Sequence, residues 1–225
     1  MPTEGLININ GDSVQVLQIL FLTTMITLLP SLAVMMTSFA KYVISLSFLR
    51  TAMGTQQNPP NLVLVGLAVF LTLLTMQPVF QQINTEALEP YQEEEISEEE
   101  FLDRAVVPLK RFMLDNTDES ALGLYCDLAG VDTPVGEPSV DLPLYIVVPS
   151  FMTTELKEAF LIGFLLYIPF VLIDIVVAST LMSMGMIMLP PAMISTPFKL
   201  LLFISVNGWE MLFASLVQGV GLGLP

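Results

Sequence analysis

The chain has 225 residues, of which 54% are hydrophobic and 13% charged, with a mean hydropathy of +0.74 and a net charge of −15. A soluble domain carries about 25% charged residues, so this composition is that of a membrane or membrane-associated protein. Nucleic-acid binding, which needs clustered Lys and Arg, is excluded. With no histidine and only Cys126, so are an intrachain disulfide, a His-based metal site, a Ser-His-Asp triad and a Cys-His dyad.

Residues Met1–Ser13 are polar and lack the basic start of a secretory signal. The first apolar run, Val14–Met36, is longer than a signal core, so either a leader has been removed or the chain inserts without one. Pro30 predicts a kink there, because it deletes a helix hydrogen bond. Apolar character continues over Tyr42–Leu49, flanked by Lys41 and Arg50. The stretch MGTQQNPPN, Met53–Asn61, reads as a turn rich in carboxamides: Gln56, Gln57 and the Pro59–Pro60 pair mark it. A twenty-residue apolar run, Asn61–Phe80, is long enough to span a bilayer core of about 30 Å.

Composition then reverses. Between Asn84 and Glu158 stand 18 acidic and four basic residues, so one segment holds nearly all the net charge. Ser97 and Glu100 form a capping box ahead of a helix that Pro108 is expected to break or bend. A second short helix is expected over about Thr117–Ala129, stopped by Gly130. Leu144–Val148 reads as a short strand, and Thr153 or Thr154 as the cap of a helix over Leu156–Met184, kinked by Pro169, with Glu155 in its first turn. Next comes MSMGMIMLPPAMISTPFK, Met182–Lys199, with five methionines and three prolines. Phe198–Val220 is the last apolar segment.

These readings give three regions: 1–83 as N-terminal apolar helices with a turn at about 50–61; 84–152 as an acidic, mainly helical soluble insertion; and 153–225 as an apolar hairpin whose Met/Pro loop covers 182–199. The fold class is all-α, built of helical hairpins kinked by prolines. Lys41 and Arg50 at the first connection and Lys199 at the third place both connections in the cytoplasm and the acidic segment on the opposite side.

Asp174, Lys199 and Glu210 lie inside apolar segments, where each costs about 2.5–3.5 kcal/mol at a helix centre without a partner. In a straight hairpin with its tip at Pro190–Pro191, Asp174 stands about 24 Å from the tip and Lys199 about 12 Å. That geometry strands both and predicts a partner on another subunit or a protonated acid. Distortion of the hairpin by its prolines is the alternative, and it would bring Asp174 to Lys199. The Met/Pro stretch itself is either a deformable constriction in a passage or a connecting loop in which Met is filler.

The strings RTAMGTQQNPPN (Arg50–Asn61), TTELKEAF (Thr153–Phe160), IPFVLIDIVVA (Ile168–Ala178), MGMIMLPP (Met184–Pro191) and TPFKLLLF (Thr196–Phe203) resemble the FliP family, core components of the flagellar type III export gate with counterparts in virulence injection systems. GTQQNPPN and MGMIMLPP resemble the flagellar branch more closely. The resemblance implies a homo-oligomeric, pentameric ring that forms a helical cone with the Q and R gate proteins and works with larger export apparatus proteins in the bacterial inner membrane at the flagellar basal body. Unfolded flagellar subunits would pass through the cone's centre, a separate ATPase and the proton gradient supplying energy. For want of any nucleophile–base or metal constellation in the residues, no cofactor and no enzymatic activity are expected. In such a cone the apparently transmembrane helices would be lifted toward the periplasm.

The family's methionine gasket would fall on Met186, Ile187 and Met188, where Ile187 interrupts the usual run of methionines. Asn207 stands where the family has Asp before Gly-Trp. Alternatives are the equivalent subunit of a virulence secretion system, a proton-coupled carrier using Asp174 and Glu210, or a scaffold whose acidic segment docks other ring components.

Overall fold

In the computed structural model the described residues are 6–9, 12–55, 57–132, 140–186 and 188–221. A short antiparallel pair, Leu6–Ile9 (β1) with Asp12–Gln15 (β2), precedes a helical body. The helices are α1 (Val16–Met35), α2 (Phe39–Ala52), α3 (Asn61–Ile83), α4 (Glu89–Gln92), α5 (Glu98–Asp115), α6 (Glu119–Ala129), α7 (Leu144–Ser183), α8 (Pro191–Ser205) and α9 (Gly208–Gln218), and a π-helical stretch, Asn84–Leu88, joins α3 to α4.

α2 and α7 form the central seam. Their directions are parallel: Lys41 meets Glu155 and Glu158, and seven residues on Phe48 meets Phe160 and Gly163. α3 returns along α2, and α8 returns along α7. The buried residues of α2, Lys41, Tyr42, Ser45, Leu46, Leu49 and Ala52, recur at helical spacing and define its inner face. The hydroxyls of Thr23, Thr24, Thr27 and Ser31 bond to carbonyls of their own helix, α1, which leaves that helix with little polar surface. Among the described residues two helices are long and apolar enough to cross a membrane, Asn61–Gln92 and Leu144–Ser183. Two pairs bent by 64°, Ile19–Met35 with Phe39–Ala52 and Pro191–Ser205 with Gly208–Gln218, add up to two more if each pair is one span.

Several local expectations hold. Ser97 Oγ accepts from the Glu100 amide at 3.3 Å and starts α5. Gly130, at φ 68°, ends α6 in the left-handed conformation that glycine adopts without strain.

Others are overturned. Leu144–Val148 is not a strand but the first turns of α7, 40 residues and about 60 Å long. Its buried residues Ile146, Val147, Ser150, Phe151, Thr154 and Glu155 fall on one helical face, and that burial outweighs the β preference of Ile and Val. Thr153 and Thr154 therefore cap nothing: Thr154 bonds back to the Ser150 carbonyl at 3.1 Å, and Thr153 meets the Tyr125 hydroxyl at 3.0 Å. α7 also runs unbroken across residues 152 and 153.

α5 continues through Pro108. The lost hydrogen bond costs about 3 kcal/mol. Burying Phe112, Met113 and Leu114 beyond it returns about 1.5–3 kcal/mol each. Prolines 30, 78, 149, 169 and 197 also lie inside helices, and successive helices bend by 64° at the breaks between Met35 and Phe39 and between Ser205 and Gly208. The second bend uses Asn207 at φ 51°, a conformation Asn tolerates better than most residues. The acidic insertion is stitched to the membrane-type helices. Phe112 packs edge-on against Phe151, the Asp118 amide donates to Thr154 Oγ1 at 3.0 Å, and Lys157 pairs with Asp118 at 2.5 Å.

Candidate functional site

The site is a pair of turns held at one end of the α2–α7 seam. At the far end of that seam Lys41, 1% exposed, lies 2.9 Å from Glu155 Oε1, and Glu155 is fully buried. Lys41 also donates to Glu158 Oε2 at 2.9 Å. The aligned hydrogen bond goes to Glu158, so Glu155 is held chiefly by the charge of Lys41. Glu155 was expected both in a first turn facing a helix dipole and as a buried or intersubunit charge; eleven residues into α7, it is buried and faces the equally buried Lys41 of the same chain. Its partner was legible only as a flanking positive charge. The signal that finds it is a lone lysine interrupting an apolar run, which needs an acid.

At the other end Lys199 Nζ donates to Asp174 Oδ2 at 2.7 Å and to the Ala52 carbonyl at 3.2 Å, and Ser195 donates to Asp174 Oδ1 at 2.6 Å. The expectation that Asp174 and Lys199 would miss each other is corrected by where the helices stop. α7 ends at Ser183 and α8 begins at Pro191, so residues 184–190 add no helical rise. Asp174 then sits nine residues before the end of α7 and Lys199 eight residues after the start of α8, about 13 Å and 12 Å. The two are level, and the pair closes within the chain. The same correction narrows the Met/Pro loop from 182–199 to 184–190: Pro191 opens α8 at a position that needs no N–H donor, and Pro197 lies within it.

Lys199 therefore joins three elements, the end of α2, the last quarter of α7 and α8. Between them the methionine turn leaves α7 through a Schellman motif. Gly185, at φ 76°, donates to the Met182 carbonyl at 3.0 Å, and the Met186 amide donates to Leu181 at 3.0 Å. Met186 is exposed and Met188 is 96% exposed. Ile187, the third expected gasket residue, lies outside the described residues. In the first turn Gln57 and Pro60 are exposed and Pro59 is half-buried, while Gln56 lies outside the described residues. Glu210 is exposed in the first turn of α9, where the helix dipole favours an anion, and takes no part in the Asp174–Lys199 ion pair.

Comparison with known proteins decides the relationship. A family profile described as FliP family matches residues 22–216. The chain belongs to the FliP family. It is 47% identical over 208 residues to the flagellar biosynthetic protein FliP of Aquifex aeolicus (strain VF5), covering 92% of this chain and 87% of that one. To FliP of Bacillus subtilis (strain 168) it is 49% identical over 201 residues, 89% and 90% of the two chains. To FliP of Caulobacter vibrioides it is 44% identical over 225 residues, 98% and 84%. Both buried lysines, both turns and the helices carrying them lie inside the matched FliP region.

Proposed function

We propose that this FliP-family chain is a pore-lining subunit of the flagellar type III protein export gate, passing unfolded flagellar proteins across the bacterial inner membrane. Flagellar biosynthesis is the role carried in the names of its relatives. The observation that carries the pore reading is the Lys199 junction: three elements are tied behind a turn whose methionines face outward. A rigid frame presenting flexible apolar side chains is what a hydrophobic seal needs. It excludes water and ions when empty and re-packs around many passing sequences.

The chain works as a homo-oligomer, a pentamer, together with the Q and R gate proteins and the larger export apparatus. The exposed apolar faces of α3, α7 and α8, including Phe70, Phe164, Leu172 and Ile204, support burial against neighbouring subunits or lipid. The acidic helices α5 and α6 face the periplasm. Both turns lie at the opposite end of the seam from them, in keeping with cytoplasmic connections. Replacing Met186, Ile187 and Met188 together with Ala raises membrane conductance in cells that assemble the gate. Unchanged conductance in assembled gates overturns the seal.

A further inference from the structure

The two turns are built alike. Met53-Gly54, four residues, Pro59-Pro60 is matched by Met184-Gly185, four residues, Pro190-Pro191. The likeness is structural as well. Gly54 and Gly185 take φ of 74° and 76°. Met53 donates to Leu49 and Gly54 to Thr51, as Met184 donates to Thr180 and Gly185 to Met182, each bond recurring at the same offset. Where the Met186 amide caps Leu181, the Thr55 hydroxyl reaches the equivalent carbonyl of Arg50 at 3.5 Å.

The first turn packs on α8, the helix that the second turn opens. A Cβ on Gly54 would stand 3.2 Å from Thr196 Oγ1, and Lys199 binds the carbonyl just before the first turn. Between glycine and prolines, however, their chemistry differs. One carries Thr-Gln-Gln-Asn and the other Met-Ile-Met-Leu.

That difference divides an unfolded polypeptide into its two parts. Its main chain offers one N–H and one C=O at nearly every residue whatever the sequence, and these need partners wherever water is excluded. A carboxamide supplies donor and acceptor together without a charge that would hold the chain fast. The side chains vary, and thioethers adapt to them. We propose that the turn Thr55–Asn58 is a second contact for the exported polypeptide, in addition to the methionine turn. The exposed Gln57 and Asn58 carboxamides exchange hydrogen bonds with its main chain while Met186 and Met188 pack on its side chains. This rests on the pore reading above.

The test places a photo-reactive amino acid singly at Gln57 and at Met188 of the full chain in assembled export gates, with an export substrate stalled by a fused, tightly folded domain. Cross-links to the substrate from both positions are expected. A cross-link from Met188 alone overturns the second contact and leaves the pore reading standing; cross-links from neither overturn both. Gln57→Met, which keeps length and removes the carboxamide, lowers the export rate about three- to tenfold, the factor for one hydrogen bond, with conductance unchanged. Gln57→Asn retains most of the rate. Equal export by Gln57→Met and the unaltered chain overturns the hydrogen-bonding role.

Discussion

Lys41 and Glu155 face each other across the α2–α7 seam at 2.9 Å, with 1% and 0% of their side chains exposed. A buried pair is costly to break from one side, because the surviving charge is left without water or partner. Lys41→Met is expected to destabilise the folded chain by about 3–5 kcal/mol. Glu155→Gln costs less, because Lys41 keeps Glu158. Lys41→Met combined with Glu155→Leu recovers most of the loss, since an apolar contact replaces both ions. Thermal unfolding of the detergent-solubilised protein measures this, and Lys41→Met alone as mild as the double variant contradicts it.

At the Asp174–Lys199 pair the acid is 41% exposed and the lysine 7%, so solvent screens part of the attraction. Lys199→Met is expected to cost about 2 kcal/mol, and more than Asp174→Asn. It loses the bond to Ala52 as well as the ion pair. Swapping the charges, Asp174→Lys with Lys199→Asp, restores only part of export and assembly, because aspartate at 199 cannot donate to the Ala52 carbonyl. Full restoration by the swap would show that the Ala52 bond contributes nothing.

At Gly163 the packing of α7 on α2 leaves no room for a side chain. A Cβ there would lie 2.5 Å from Cγ and Cδ2 of Phe48 and 3.0 Å from its Cβ, atoms near the backbone that cannot swing away. Gly163→Ala should cost about 1–3 kcal/mol through overpacking. Phe48→Ala should relieve it in the double variant. The same unfolding measurement decides, and an alanine tolerated beside Phe48 shows the seam to be looser than this spacing.

Ser97→Ala serves as the contrast. It removes a cap at an exposed helix start and should cost about 1 kcal/mol, seen as faster amide exchange in the first turn of α5. Export and conductance stay unchanged, since that turn is remote from the junction at Lys199. A conductance change here would mean the acidic helices act on the turns.

The features legible in the residues are those decided within a few positions along the chain. Ser97 and Glu100 mark a start, Gly130 marks a stop, the apolar runs mark membrane-type helices, and the prolines with glycine mark both turns. Each follows from a neighbour's hydrogen bond or steric limit, so spacing alone reveals it. What escaped is what depends on other helices. Leu144–Val148 becomes helix because one helical face finds a core, and Pro108 is carried because Phe112, Met113 and Leu114 are buried beyond it. Lys199 reaches Asp174 because seven residues of the connection are not helical, a count that sets the level of every later side chain. Charge and composition require these ions to have partners. Only the packing of α2, α7 and α8 decides which ones, because pairing needs two atoms within about 3 Å and chain position does not record that distance.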